Sequence, residues 1–573
     1  MQDLSQADDE NILYKDVVIV GNGPGGIFLS YLLNGNWPYY TGQPHPGDEM
    51  LSARLEFVVE KATNRFKEDN DDGKKIIQTI NRRNHSIKNE LYGTVDKKSL
   101  LEIPQRDLEI LASGVEGRGT CRPLALLLDQ LQHPCVDAGL NLPSLLVWKS
   151  AEYHPKQKII DHVSLGKGPP GGAWQFMDPN ILTISLDRWM SLPGLEIQEW
   201  ESMIEAEQSR KSAMLRECIG DKRLLLSQTK VNRSNEMRRI LVGSVAAYYK
   251  DYVVKQGLAK YFKSGRIVTS VRPILEVDNH DKEYGWIVQG YENLSGKRFH
   301  YKCKNVVIAT GTTNSFNRLG IAGEETQSCW VTHQLNDFET RLDRLVGKCK
   351  KCAAKRKNQD LSQIDPVLVI GAGLSAADAI MAARNRGIPV IHAFRESTDL
   401  ADDNLNNVKL TTSIYDRLRS LPVSMYPEYH EVYEMMVDDK THRLYKALPG
   451  YTVIDLGVKS DDTNKTKERT VSLQSPDGNI YRYRVSIVAI LIGAKPDLSY
   501  LGEYAEKFGR IVDKPIDGRS NPIEIDDFTY EVVRSPCKGL YAIGPLVGDN
   551  FVRFILGGAF GVAAHLIRNL DID

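Results

Sequence analysis

The sequence predicts an α/β chain containing two separate strand–turn–helix units, and three observations carry that prediction. VVIVGNGPGG places Gly21, Gly23 and Gly26 in a G-x-G-x-x-G spacing directly after the β-branched run Val17 to Val20. Far along the chain, VLVIGAGLSAAD repeats the arrangement with Gly371, Gly373 and Ala376 after Val367 to Ile370. A third apolar run, KNVVIATG, reads as a buried parallel strand ending at Thr310 and Gly311, where the chain must turn. In such turns the first glycine permits a tight bend and the second lets backbone N–H groups approach a pyrophosphate. The third lets helix and strand pack closely. The helix start adds unpaired N–H donors and the positive end of its dipole. Two Rossmann-like domains are therefore expected, holding two dinucleotides between which electrons pass.

Composition narrows the class. A chain of 573 residues is long enough for two or more domains, and 42% hydrophobic content supplies their cores. Its net charge of −1 leaves no electrostatic footprint for nucleic acid. The start, MQDLSQADDEN, is acidic and polar, unlike a secretory or Arg-rich transit segment. No apolar run approaches the roughly 18 residues that a membrane span requires, and VSIVAILIGA reads as a buried strand. Eight scattered cysteines fit a reducing compartment better than a disulfide framework, so a cytoplasmic location is expected.

The organisation follows from these units. Residues 11–340 form the first part of one dinucleotide domain, with insertions at about 34–146 and 201–239. A basic linker spans 341–365, a second dinucleotide domain spans 366–485, and 486–573 return to the first and close it with a C-terminal helix. Within the first domain, SVAAYYKDYVVKQGLAKYF has helical periodicity that sets Val245, Tyr248, Tyr249, Tyr252 and Val253 on one side. RIVTSVRPILEV follows as a strand.

Further strings give the chain a family resemblance. GPPGGAW, with Gly171, Gly172 and Trp174, the strand end Ala309-Thr310-Gly311, and the strand Tyr541 to Gly544 resemble the flavin-containing monooxygenases. LGKGPPGGAW, SLPGLEIQEW, SMYPEYHEVYEMM, NPIEIDDFTYE and GPLVGDNFVRF resemble, more narrowly, the oxidative stress-induced growth inhibitor family, a divergent branch of those flavoproteins. That resemblance covers nearly the whole chain. It implies an FAD- and NADPH-dependent monooxygenase linked to control of cell proliferation, cell death and cell division. O2 and an unidentified substrate would be its reactants, and hydrogen peroxide a product of leaky turnover.

The resemblance assigns roles by position. Gly21, Gly23, Pro24, Gly25 and Gly26 would contact the FAD pyrophosphate, and Gly171 and Gly172 would approach the flavin. Trp174 either covers an aromatic ring or packs as core. Thr310, Gly311 and Gly544 border the same cofactor. Asp549 and Asn550 precede the last helix, expected to start near Gly557; Asp549 either meets the ribityl chain or caps that region. In the second turn Gly371, Gly373, Leu374, Ser375, Ala376 and Asp378 would hold NADPH. Arg395, at the end of IPVIHAF, suits a 2′-phosphate and is otherwise a solvated strand-end charge. His333 follows Gly323 as in the monooxygenase F-x-G-x-x-x-H signature, at longer spacing; it is either that histidine or a surface one.

Two departures stand out, and they keep open an alternative, a catalytically weak regulatory or scaffold protein in which the nucleotide folds survive as a platform. The strand near IIDHVSLGKG ends in Lys167 without a carboxylate for the adenosine ribose, Asp161 being too far upstream. Thr183, Ile184 and Ser185 occupy the place where the monooxygenases carry an asparagine. Cys349 and Cys352 form a C-x-x-C that either exchanges electrons with a flavin or lies on a Lys-rich surface loop. No metal motif, Ser–His–Asp arrangement or paired catalytic carboxylates emerge. This suits an enzyme whose cofactor performs the chemistry.

Overall fold

A computed structural model of the chain describes residues 12–68, 98–117, 122–207, 238–274, 285–347, 364–395, 416–438, 442–457 and 469–569. They form two compact units. One comprises residues 1–175, 182–312 and 496–573, the other 176–181 and 313–495.

The first unit opens with β1 (Ile12–Val20), whose Val17 to Val20 are buried, followed by α1 (Pro24–Leu33), buried along its whole length. α2 (Pro123–Gln132), β2 (His162–Gly166) and α3 (Val242–Lys255) come next. β3 (Phe262–Ser264), β4 (Arg266–Pro273), β5 (Trp286–Glu292) and β6 (Arg298–Ile308) complete its first pass. The sheet order is β3-β2-β1-β6-β5-β4. β3, β2, β1 and β6 run parallel with Val20 beside Leu165 and Ile308, while β4 and β5 continue as an antiparallel meander. The tyrosines of α3 are buried as their periodicity predicts, and their hydroxyls are satisfied by the MSLPGL segment. Tyr248 donates to the Leu195 carbonyl at 2.6 Å, Tyr249 to that of Met190 at 2.9 Å, and Tyr252 to that of Pro193.

The second unit contains β7 (Val331–Thr332), α4 (Leu335–Leu345), β8 (Val367–Ile370), α5 (Leu374–Asn385), β9 (Val390–Phe394), α6 (Pro427–Val437), β10 (Tyr445–Pro449) and β11 (Val488–Ile490). Its sheet, β7-β11-β8-β9-β10, is wholly parallel. The near-continuous apolar strands VLVI and VAI are what a sheet covered on both faces demands. The main stretch of the unit therefore runs from Thr313 to Lys495, instead of 366–485, and residues 176–181 join it. β7 hydrogen-bonds to β11, and β11, which reads as a return strand in the sequence, belongs to this sheet.

The chain then re-enters the first unit. β12 (Leu540–Ala542) pairs in parallel with Val306 to Ile308 of β6, and α7 (Val552–Asn569) closes the core. This helix begins at Val552 and not near Gly557. Gly557 lies inside it, where α7 crosses α2 so closely that a Cβ would lie 2.3 Å from the Ala125 Cα. The crossing makes the described part of the 34–146 insertion part of the main core. A two-stranded antiparallel ribbon of Asn36–Tyr40 with Leu146–Ser150 clamps its ends, and Leu101, Leu108, Leu111, Leu124 and Leu128 are buried in the main core. Buried ions fasten the same seam. Arg553 of α7, 5% exposed, reaches Asp129 at 3.0 Å and Asp137 at 2.8 Å. Desolvation outweighs that cation and pushes the Asp129 carboxyl up to about 7. Most of the 201–239 insertion and the 341–365 linker, with Cys349 and Cys352, lie outside the described residues.

Replacing Gly557 with valine is expected to force the helix pair apart and cost about 1–3 kcal/mol. Urea unfolding followed by circular dichroism would show it as a lower midpoint.

Candidate functional site

The first turn joins β1 to α1. Gly21 adopts φ +117°, and a Cβ there would lie 2.3 Å from the Ala309 carbonyl oxygen beyond the end of β6. Only glycine fits. The turn is stitched on both sides: the Gly21 N–H donates to Leu165 O at 2.8 Å, and the Ala309 N–H to Val20 O at 2.8 Å. A Cβ on Gly26 would meet the Gly21 carbonyl at 2.5 Å, so helix and turn touch through backbone alone. Gly23 is the N-cap of α1, extended and without a side-chain cap, and Pro24 occupies the position where a missing N–H costs nothing. Gly25 and Gly26 thus sit in a first turn whose N–H groups have no intrahelical acceptor.

The second turn repeats this geometry. Gly371 has φ +126°, and its Cβ would lie 2.3 Å from the Leu491 carbonyl oxygen, just past β11. The Gly371 N–H donates to Ala393 O at 3.1 Å and the Leu491 N–H to Ile370 O at 2.8 Å. Gly373 caps α5 with extended backbone, no side-chain cap and, among the described residues, nothing within 4 Å of a would-be Cβ. Leu374 and Ser375 follow, Ser375 exposed, with Ala376 buried where the first turn has Gly26. Each helix start is a bare cluster of N–H donors at the carboxyl edge of a parallel sheet, the place where such sheets bind dinucleotides. By that criterion both fit a pyrophosphate.

Around the first turn the structure gathers several of the residues singled out in the sequence. The Gly171 N–H donates to Asn22 O at 2.9 Å, and Gly172, at φ +58°, would place a Cβ 2.8 Å from the Gly23 Cα. The GPPGGAW loop and the glycine turn are therefore in backbone contact. Gln175 pins that loop to α3 by donating to Pro170 O at 2.6 Å and Ala246 O at 2.7 Å. The Trp174 ring, partly buried, meets Tyr249 edge-on at 6.3 Å. Thr310 shares a hydrogen bond with the Tyr500 hydroxyl at 3.1 Å, and Gly311 follows at φ +67°. Gly544, beyond β12, is buried at φ +75°.

The other singled-out residues have contacts of their own. Asp549 is 0% exposed and accepts a hydrogen bond from Tyr530 at 3.1 Å. Its exposed neighbour Asn550 donates to Gly518 O at 3.3 Å and Gly548 O at 2.9 Å. Asp378 lies past the first turn of α5 and accepts from the Tyr429 hydroxyl of α6 at 2.9 Å, which joins two helices. Arg395 directly follows β9 and is exposed. His333 is only 11% exposed and bonds the buried Glu324 at 2.7 Å, so it is not a surface histidine. Glu324 is held below the usual carboxylate range by His333 and the Leu319 and Gly320 amides, which together outweigh its desolvation. At the place of the missing asparagine, Thr183 donates to Ser185 O at 2.6 Å. Asp161 pairs with Lys15 at 2.8 Å at the amino end of β2, the end away from the turn. Among the described residues, no three His, Cys, Asp or Glu converge as metal ligands. No described helix is long and apolar enough to cross a membrane.

Sequence reading missed the polar side chains beneath the turns. Ser164 of β2 donates to Gly21 O at 3.2 Å. In the second unit His392 of β9 takes the matching place, 2.6 Å from Gly371 O through Nε2 and 2.8 Å from the Tyr445 hydroxyl through Nδ1. The available signal is a polar residue interrupting an otherwise apolar strand, in HVSLG and VIHAF. Burial lowers His392 to about 4, and lowers His162, bonded to Ser30 at 2.8 Å, to about 4 as well. Both native rings are neutral, so their contribution is intact above the unfolded value near 6.5 and is lost as pH falls towards 4. Thermal midpoints measured between pH 7 and 4 should fall across that window, and His392→Gln should flatten the slope.

The comparisons agree with this geometry. Residues 203–551 match the family model described as pyridine nucleotide-disulphide oxidoreductase. The chain is 35% identical to oxidative stress-induced growth inhibitor 1 from Homo sapiens over 96% of its own length and 95% of that protein. It is 33% identical to the human inhibitor 2 over 99% and 95%. A Caenorhabditis elegans homolog, osgn-1, is 26% identical over 96% and 94%. The fold is that of FAD- and NADPH-dependent flavoprotein oxidoreductases, and with two human relatives matched almost end to end, the chain belongs to the oxidative stress-induced growth inhibitor family.

Proposed function

We propose that the protein is an NADPH-dependent flavin monooxygenase that also releases hydrogen peroxide. The observation that carries this reading is the twin geometry of the glycine turns, two uncapped helix starts held under strand-end carbonyls in one chain. Gly21, Gly23, Pro24, Gly25 and Gly26 would hold the FAD pyrophosphate, with Gly171, Gly172, Trp174, Thr310, Gly311 and Gly544 bordering it. Gly371, Gly373, Leu374, Ser375 and Ala376 would hold the NADPH pyrophosphate, and the exposed Arg395 guanidinium would take the 2′-phosphate in two charge-assisted hydrogen bonds. When bound, these cofactors supply hydride transfer and onward delivery of the electron pair to O2.

The residues of the chain set how that electron pair is used. Thr183 commits its hydroxyl to Ser185 O, and no side-chain amide stands at that position to donate to the flavin or nicotinamide. The loop carrying Trp174 is fixed by Gln175, which limits water beside the ring only as far as one indole covers it. Both features favour peroxide release alongside oxygenation. The cytoplasm is the compartment this chemistry, with its NADPH supply and free cysteines, suits.

A second reading, disulfide reduction through Cys349 and Cys352, is favoured by the description of the matching family model. NADPH oxidation that survives Cys349→Ser with Cys352→Ser would remove it.

The purified protein should be yellow, and anaerobic NADPH should bleach it. Under air, one peroxide per NADPH whatever the added substrate would overturn oxygenation, and a lower ratio with a nucleophilic substrate would support it. Gly21→Ala should weaken flavin binding by roughly tenfold or more, from left-handed strain of about 1–2 kcal/mol plus the backbone clash, while sparing NADPH. Gly371→Ala should do the reverse. Titrations followed by flavin absorbance and nicotinamide fluorescence distinguish the two.

A further inference from the structure

β2 is the strand whose carboxyl end should present an acidic residue to the adenosine ribose of the first dinucleotide. It ends at Gly166 and is followed by Lys167, and Asp161 is bound to Lys15 at the strand's other end. A carboxylate nonetheless stands at that edge, brought by the segment that re-enters the first unit after Lys495. Asp497 Oδ2 lies 3.5 Å from Lys167 Nζ, and its Oδ1 accepts from the Ser499 hydroxyl at 2.6 Å and the Ser499 N–H at 3.2 Å. One residue further on, Tyr500 is bonded to Thr310 at 3.1 Å, beyond the end of β6. The ends of β2, β1 and β6 and the 497–500 segment therefore share one edge, with Asn22 tying the turn to the Lys167 loop by donating to Gly168 O at 2.8 Å.

The geometry points to Asp497 as the ribose carboxylate of the FAD site, supplied by a distant segment in place of the strand's own residue. Lys167 acts as its positioning residue. This rests on the reading of the first turn as an FAD cradle. The carboxylate is 39% exposed on its side chain and so open to a ligand. Ser499 occupies one oxygen, leaving Oδ2 to accept ribose hydroxyls beside the Lys167 ammonium. The Ser499 hydroxyl, with Lys167 adding to it, holds the carboxyl below its ordinary range, so it is ionised at neutral pH and is an acceptor only.

The test compares FAD with FMN, which shares the isoalloxazine and ribityl phosphate but lacks the adenosine. Dissociation constants are read from flavin fluorescence for the full-length wild type, Asp497→Asn and Asp497→Glu, with thermal unfolding as a check on folding. Asp497→Asn should weaken FAD roughly tenfold, the weight of hydrogen bonds to a charged acceptor. FMN binding should not change, and Asp497→Glu should recover part of the FAD loss. Equal weakening of both flavins, or no change in either, overturns the assignment while leaving the FAD reading intact. A wild type that prefers neither flavin over the other also overturns it, because the adenosine is then not held. A wild type that binds no flavin at all overturns the FAD reading itself, and this assignment with it.

Discussion

Everything functional in this molecule depends on one short-range constraint, a strand-end carbonyl pressed against a glycine. Ala309 O and Leu491 O each occupy the space where a side chain at Gly21 or Gly371 would begin. That contact lets the neighbouring strand run past the turn and still hydrogen-bond to it, which orients the helix start along the carboxyl edge of the sheet. A larger residue at either site would move the strand, the turn and the N–H cluster together. The same solution appears twice because the same problem appears twice: a phosphate can be held by backbone only where backbone is left bare.

The units differ in how they hold the underside of that turn. A serine hydroxyl in the first and a neutral buried histidine in the second both donate to the glycine carbonyl. The histidine is itself fixed by a tyrosine from the next strand, which sets its tautomer. The first turn is further closed by the GPPGGAW loop, whose backbone meets Gly23. Among the described residues, nothing comparable comes within reach of Gly373.

The local parts of this arrangement were legible in the sequence. Glycine spacing after β-branched runs located both turns, and helical periodicity placed the α3 tyrosines in the core, because each signal lies within one element. What could not be read depends on contacts between distant segments. The true start of the second unit follows from a two-residue strand at Val331, too short to show periodicity. The burial of Asp549 and its bond to Tyr530, from a separate segment, carry no local signal. Gly557 looks like a helix start because glycine marks ends, yet it answers a crossing with Ala125 from an insertion hundreds of residues earlier.

The placement of β12 has a consequence for how the chain matures. Val306 to Ile308 find their outer neighbour only in Leu540–Ala542, and the main core is sealed only by α7. The second unit is nearly continuous in sequence and can complete itself while the ribosome is still at work. The first must wait, with an unpaired strand edge and an unsealed apolar face, until α7 has been made. Newly made chains thus pass through a stage in which the second unit is finished and the first is held open.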